Sequence, residues 1–245
     1  MKRAKRVNNQ SRRTGGKPQQ DMALGLDMSV VPKKEAVETG PVVGKTRNQE
    51  RYLKAINSSS LVFATGPAGV GKTYLATATA AKLLNDKKIE KIIITRPAIE
   101  AGENLGFLPG EIDEKFDPYL APFKDVLYRR LGKSFTEYLI NNETIEAVPL
   151  AYIRGRTFRN AVVILDEAQN TTPTQMKMFL TRIGENCTVV VNGDPRQKDI
   201  TGPSGLVDAV GRLSHLASVR VVEFGREDIV RSGLVQQIVE AYEDC

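Results

Sequence analysis

The feature that most limits what this chain can fold into is a glycine-rich run, Gly-Pro-Ala-Gly-Val-Gly-Lys-Thr, at residues 66–73. It follows a short apolar segment and opens an alanine-rich one, which predicts a strand, a tight loop and then a helix. Backbone N–H groups in such a loop can surround phosphates, while the lysine adds charge and the hydroxyl offers a Mg²⁺ ligand. The candidate phosphate-binding residues are therefore Gly66, Pro67, Ala68, Gly69, Val70, Gly71, Lys72 and Thr73.

An acidic pair follows a second apolar run. Val-Val-Ile-Leu at residues 162–165 leads directly into Asp166 and Glu167. Open α/β sheets bind ligands beyond the carboxyl ends of their strands, so we expect Asp166 to hold Mg²⁺ opposite Thr73. The adjacent Glu167 suits a general base that activates a water molecule. The alternative, an acidic helix N-cap, would explain Asp166 but not the glycine loop far upstream.

A third apolar run, at residues 189–191, is followed by Asn-Gly-Asp-Pro-Arg-Gln. In company with the first two motifs, Gln197 is a candidate to contact a γ-phosphate or the attacking water, with Asp194 bracing it. The alternative is a strand followed by a simple turn, because Gly-Asp-Pro is a turn signal.

The rest of the chain predicts an α/β protein with a mostly parallel sheet. Val- and Ile-rich segments predict strands at residues 61–64, 91–95, 144–148, 162–165, 188–191 and 219–224. Amphipathic segments predict helices at residues 72–85, 122–131, 173–183, 203–213 and 233–242, three of them starting at a proline. Strands without polar alternation indicate a sheet covered by helices on both faces.

The net charge of +6 divides unevenly along the chain. Residues 1–20 hold seven basic residues and no acid, so they carry +7 and the remainder carries −1. We predict a basic, disordered tail at residues 1–45 and a single α/β core at residues 46–245. The tail is either an arm for nucleic-acid phosphates or a solvated segment.

Composition excludes several other classes of protein. One histidine and two cysteines cannot assemble a zinc site or a disulfide scaffold, and they disfavour a Ser-His-Asp hydrolase. The apolar runs are too short to cross a bilayer, so no membrane partner is expected. These features predict a protein of the reducing cytoplasm.

Several stretches resemble the PhoH-like, phosphate-starvation-inducible ATPase family, which is similar to the core of superfamily 1 helicases. The resemblance covers about residues 45–243 and is most specific at Asp-Glu-Ala-Gln-Asn, residues 166–170. Further matches are Thr-Arg-Pro at 95–97, Gly-Phe-Leu-Pro-Gly at 106–110 and Ala-Tyr-Ile-Arg-Gly-Arg-Thr-Phe at 151–158. The sequence departs from the family after Gln197, where Lys-Asp-Ile-Thr replaces Ile-Asp-Leu-Pro, and at residues 231–233, where Arg-Ser-Gly replaces Arg-His-Pro.

This resemblance implies a RecA-like P-loop NTPase fold, ATP and Mg²⁺ as cofactors, and an ATP hydrolase with helicase-like action on single-stranded RNA or DNA. It implies that Gln49 reads the adenine edge, although Gln49 is also suited simply to start a helix. One core per chain leaves the site without a second-core arginine, so we expect a homo-oligomeric ring, a hexamer, in which a neighbour supplies Arg231, or Arg226 as second choice. The alternative for either arginine is a surface pair with Glu227 or Asp228.

Direct nucleic-acid contacts are less marked. Aromatic and basic side chains interleave at Tyr152, Arg154, Arg156, Phe158 and Arg159, a pattern that suits base stacking with phosphate contact or, equally, packing between two strands. Two other functions stay open: a small-molecule P-loop kinase, and a nucleotide-gated binding module with slow turnover. A GTPase is disfavoured because no Asn-Lys-x-Asp motif occurs.

Overall fold

The computed structural model describes residues 31, 32, 35, 38–97 and 112–230, with side chains from residue 120 onward in the helix that begins at 112. The chain divides into two units, Met1–Val31 and Pro32–Cys245, and all elements described belong to the second. In chain order they are α1 (Arg47–Ser58), β1 (Leu61–Thr65), α2 (Lys72–Asn85), β2 (Lys91–Thr95), α3 (Ile112–Leu131), α4 (Lys133–Asn141), β3 (Ile145–Ala147), β4 (Ala161–Leu165), α5 (Pro173–Leu180), β5 (Thr188–Gly193), α6 (Gly205–Leu213) and β6 (Val219–Glu223).

The six described strands form one sheet in the order β3-β2-β4-β5-β1-β6, and every neighbouring pair is parallel. Strand β5 therefore lies between β1, which leads into the glycine loop, and β4, which leads into the acidic pair. The register pairs Thr65 with Gly193 and Leu165 with Val191, so the three strands end close together. All three sequence motifs consequently meet at one edge of the sheet.

Helices cover both faces of the sheet, as predicted. One face of the central strands, with Phe63, Val163 and Val189, packs into a buried cluster with Met176 of α5 and with residues of α6. Helix α2 contacts β2, β4 and β5, while α1 contacts β1 and β6. Every residue of β4 is buried. This double coverage explains why the central strand β4 is apolar throughout and does not alternate.

The six predicted strands are confirmed, and α2 has the predicted bounds. Helix α4 lies where none was predicted, and α1 holds Gln49 in its first turn, in agreement with the alternative that Gln49 starts a helix. The helix predicted at 233–242 lies outside the described residues. The start predicted at Pro122 is wrong, because α3 begins at Ile112 and Pro122 lies inside it. The side chains of Phe123 and Leu127 are fully buried, so packing of that face maintains the helix through a residue that usually ends one.

Asp228 ties the two ends of the described core together. It is 2% exposed, and its carboxylate accepts hydrogen bonds from the Thr46 hydroxyl, from Asn48 Nδ2 at 2.8 Å and from Gly225 N at 3.0 Å. Burial tends to raise the pKa of Asp228, but these hydrogen bonds outweigh it and hold the pKa below its usual value. Because those donors occupy its carboxylate, Asp228 is committed to fixing α1 beside the exit of β6.

The predicted boundary between tail and core at residue 45 stays a prediction. The segment just before it makes defined contacts: Glu38 N donates to Arg129 O at 2.9 Å, and Arg130 Nη2 donates to Gly40 O at 2.8 Å. None of the helices described here combines the length and the apolar character that a bilayer crossing needs.

Candidate functional site

The glycine loop between β1 and α2 takes backbone conformations that few other residues allow. Gly66, Gly69 and Gly71 have φ values of +143°, +86° and +86°. A Cβ at Gly66 would lie 2.5 Å from Phe224 O, so only glycine fits between the loop and the end of β6. Gly71 precedes α2 and provides no side-chain cap, so the first N–H groups of α2 stay available to an anion.

The Lys72 side chain folds back onto the glycine loop. Its Nζ donates to the carbonyls of Gly66 at 2.5 Å and Pro67 at 2.8 Å. Burial lowers the pKa of the Lys72 ammonium, an effect opposed by three nearby carboxylates, foremost Asp194. The amine therefore lies at the loop's inner face, where a phosphate oxygen would be a stronger acceptor than a carbonyl.

Thr73, in the first turn of α2, contacts Asp166, which directly follows β4. Thr73 Oγ1 donates to the Asp166 carboxylate, 3.1 Å from Oδ2 and 3.3 Å from Oδ1, and Asp166 is 3% exposed. A hydroxyl and one carboxylate are hard oxygen ligands of the kind Mg²⁺ binds when phosphates complete its shell. No cluster of three or more His, Cys, Asp or Glu suited to a metal occurs in the described part of the chain. The donor set thus fits Mg²⁺ held jointly by protein and phosphates.

Glu167 stands beside this pair in an unusual conformation. Its φ of +54° is left-handed, a strained state for a residue with a side chain, and the side chain is 45% exposed. Asp166, one residue earlier, has a side chain that is only 4% exposed. Two carboxylates adjacent in sequence thus have different surroundings, one enclosed and one open to water.

Gln169 is a site residue to which the sequence analysis gave no role. It is 1% exposed, its Nε2 donates to Glu167 Oε2 at 2.7 Å, and its Oε1 accepts from Asp194 N at 3.0 Å. The amide therefore connects the general-base candidate to the end of β5. The only hint in the sequence was its place within the Asp-Glu-Ala-Gln-Asn motif.

Arg96 is a second site residue without a predicted role. It directly follows β2, and its Nη2 lies 2.7 Å from Asp166 Oδ2 and 4.0 Å from Glu167 Oε1. The available signal was its place in the Thr-Arg-Pro stretch, directly after a predicted strand. Periodicity alone gave no strand order, so the pairing could not be read from the sequence.

A cleft of about 300 Å³ joins most of the predicted residues. It is lined by Ala68, Gly69, Gly71, Lys72, Thr73, Tyr74, Asp166, Glu167, Gly193, Asp194 and Gln197. Gln197 is exposed at its rim, and its N–H donates to Asp194 O at 2.9 Å. The Asp194 carboxylate accepts from Arg196 N at 3.0 Å, so any bracing of Gln197 runs through the backbone.

Gln49 lies behind the loop and not in this cleft. It is 4% exposed, its Nε2 donates to Val70 O at 2.9 Å, and its Oε1 accepts from Lys45 N at 2.7 Å. Both ends of the amide are thus engaged within the protein, where they brace the loop. Its reading of an adenine edge stays a prediction. Arg231 lies outside the described residues, but Val230 before it donates its N–H to Gly69 O at 3.1 Å.

The interleaved aromatic and basic stretch is split by the fold. Tyr152 is 57% exposed and Arg154 and Arg159 are exposed, whereas Phe158 is 2% exposed and packs 6.4 Å from the Phe179 ring. Arg156 is paired with Glu146. For Phe158, the packing alternative holds, because the ring belongs to the core.

A parallel sheet with a glycine loop after β1, and with a carboxylate facing that loop from β4, defines a P-loop NTPase fold. The chain belongs to the PhoH-like protein family, whose model matches residues 41–243, so the resemblance seen in the sequence is confirmed. It is 54% identical over 213 residues to Protein PhoH of Escherichia coli K12, covering 85% of this chain and 60% of that protein. It is 51% identical over 201 residues to a PhoH-like protein of Bacillus subtilis, covering 81% of this chain and 63% of that one.

The chain thus spans about three fifths of the length of these curated relatives. The solved structures that match are more distant in sequence. The Pif1 helicase from Candida albicans matches with a TM-score of 0.42 and 17% identity, over 81% of this chain and 43% of that chain. The UvsW helicase from bacteriophage T4 matches with a TM-score of 0.46 and 12% identity, over 78% of this chain and 64% of that chain.

The position of Gln49 leads to a test of its role. Gln49→Ala removes two hydrogen bonds that brace the loop, so affinity for ATP and for inorganic tripolyphosphate should fall together, by about 1–2 kcal/mol or roughly 5- to 30-fold. Competition against a fluorescent nucleotide measures both, and Glu50→Ala, an exposed neighbour on α1, is the control. A loss confined to ATP would instead assign Gln49 to the adenine.

Proposed function

We propose that this protein binds ATP with Mg²⁺ in the cleft and hydrolyses it, and that it acts on single-stranded RNA or DNA. The observation that carries the ATPase assignment is the contact between Thr73 and Asp166, 3.1 Å apart, beneath the glycine loop. A loop that accepts phosphates and a buried carboxylate that faces it are the two halves of a magnesium–triphosphate site.

Each cleft residue has a distinct task in this proposal. The loop N–H groups and Lys72 hold and neutralise the phosphates, and Thr73 with Asp166 would hold the metal. Bound Mg²⁺ supplies positive charge to the phosphate oxygens. Gln197, at the rim, is placed to contact the γ-phosphate or the attacking water.

Glu167 is the proposed general base. Its carboxylate is close to half exposed, and it is held by Gln169 and not by a cation at hydrogen-bond distance. A carboxylate so held can orient a water molecule and accept its proton as the bond to the γ-phosphate forms. A kinase that transfers phosphate to a metabolite has no water to activate, so a base candidate that is open to water favours hydrolysis.

Glu167→Gln tests the enzyme assignment. Turnover should fall by about 10²- to 10⁴-fold, because the base is lost, while ATP binding stays unchanged and an ATP-bound form accumulates. Release of inorganic phosphate and retention of labelled ATP measure the two effects, with the exposed Glu185→Gln as control.

The rival functions give different results in the same assays. Equal, slow turnover in wild type and Glu167→Gln would indicate a nucleotide-gated binding module. Phosphate transferred to a small molecule, with none released to water, would indicate a kinase.

The nucleic-acid part of the proposal depends on charge and exposed aromatic surface. The +7 tail offers phosphate contacts, and Tyr152 with Arg154 and Arg159 offers stacking and charge on the core.

A free, buried Cys187 and the composition are consistent with a cytoplasmic protein.

Single-stranded RNA or DNA should stimulate ATP turnover, and deletion of residues 1–20 should weaken the apparent affinity without removing the stimulation. The affinity should fall with salt at a slope of about −0.7 per phosphate contact, and the deletion should make that slope shallower. Turnover at two salt concentrations measures this, with Tyr152→Ala testing the core contact. Turnover indifferent to both polymers would contradict a nucleic-acid role.

We further assign the missing positive charge to a neighbouring subunit in a homohexameric ring, with Arg231 as the finger. Arg226 is the second candidate, on the short 3₁₀ turn Arg226–Asp228. The support is the family resemblance at Arg231 and the state of the nearby described cations: Lys72, which lines the cleft, is engaged with loop carbonyls, and Arg96, beside the cleft, is engaged with Asp166.

Subunit mixing tests this arrangement. Lys72→Ala and Arg231→Ala should each abolish turnover alone, but random mixing should restore about a quarter of the wild-type rate, because a site then joins an intact lysine to a neighbour's intact arginine. Phosphate release measures the rate, native mass measures the ring, and Arg226→Ala is the comparison. Full turnover by Arg231→Ala would eliminate it as the finger.

A further inference from the structure

Arg96 occupies the carboxylate on which the proposed metal site depends. Its Nη2 lies 2.7 Å from Asp166 Oδ2, the same oxygen that lies 3.1 Å from Thr73 Oγ1. The Arg96 side chain is 17% exposed and Asp166 is 4% exposed by side chain, so the pair is largely shielded from water. A shielded ion pair is screened little by salt and competes directly with any other cation for that oxygen.

The surroundings of Arg96 keep it in this place. Its guanidinium carbon lies 5.5 Å from the centre of the Phe123 ring of α3, and its backbone carbonyl accepts from Leu150 N at 3.1 Å. Its Nε is buried and finds no acceptor among the described residues. The guanidinium thus leaves one buried donor unsatisfied while it holds Asp166, which indicates that the carboxylate contact determines its orientation.

The charges in and beside the cleft indicate how Arg96 affects metal binding. Three carboxylates, of Asp166, Glu167 and Asp194, line the cleft with the Lys72 ammonium, and Arg96 pairs with Asp166 from beside it, so these five groups carry a net charge of −1. A divalent ion alone would turn this to +1 and lie close to Arg96. The same ion brought with a triphosphate would meet ample negative charge, and the phosphates would supply the ligands that the protein lacks.

We propose that Arg96 is a positioning residue that holds Asp166 as an ion pair, so that a divalent cation binds only together with a triphosphate. This inference depends on the proposed ATP and Mg²⁺ site. In this proposal Arg96 keeps the Asp166 carboxylate oriented toward Thr73. It also prevents a divalent cation from binding before the triphosphate.

Electron paramagnetic resonance of Mn²⁺, used in place of Mg²⁺, tests this without any turnover. Wild-type protein should bind no Mn²⁺ alone up to about 1 mM, and should bind it when a non-hydrolysable ATP analogue is present. Arg96→Gln should bind Mn²⁺ without nucleotide, with affinity raised by about tenfold or more, because one poorly screened charge near the ion is gone. Arg96→Lys, which keeps the charge, should behave as wild type.

The controls separate a failure of this inference from a failure of the proposed function. Arg212→Gln removes an arginine from an exposed pair on α6 and should leave Mn²⁺ binding unchanged. Arg96→Gln combined with Asp166→Asn should lose the nucleotide-free binding. Tight Mn²⁺ binding by wild type alone would overturn the role of Arg96 even if the variants fail to fold, as would equal Mn²⁺ affinity in Arg96→Gln and wild type. Absence of Mn²⁺ binding by wild type with the ATP analogue would overturn the metal site itself.

Discussion

The buried carboxylate of Asp166 is the interaction on which this structure depends. A carboxylate removed from water is costly unless it is paired, and its partners here come from the ends of other strands: Thr73 after the β1 loop and Arg96 after β2. These partners can reach it only because β4 neighbours β2 and lies one strand away from β1. The strand order therefore determines the site chemistry, since a different order would leave the Asp166 carboxylate buried without these partners.

Sequence reasoning captured the local part of this arrangement. The bounds of α2, the six strands and the glycine loop follow from periodicity and from residues whose conformational needs are specific. It failed where distant packing decides. The sequence predicts a helix start at Pro122, but the buried face of Phe123 and Leu127 maintains α3 through this residue. Helix α1 was foreseen only as the alternative role of Gln49, although Thr46 caps it by accepting a hydrogen bond from Gln49 N.

The site residues divide along the same line. Lys72, Thr73, Asp166 and Glu167 belong to short motifs whose chemistry can be read in place. The roles of Arg96 and Gln169 follow only from contacts between the ends of different strands. Arg96 pairs with Asp166, and Gln169 accepts a hydrogen bond from Asp194 N. No spacing rule marks such residues, because the separation in sequence between partners depends on the lengths of the helices that join the strands.

The glycine loop shows how such contacts prepare a site for a flexible ligand. Gln49 holds it at Val70, Val230 holds it at Gly69, and Lys72 spans two of its carbonyls. A loop held at these points has already lost the freedom that phosphate binding would otherwise remove, so less of the binding free energy is spent on ordering it. The same ties connect the loop to the residue that precedes Arg231. One hydrogen bond, from Val230 N to Gly69 O, makes this connection.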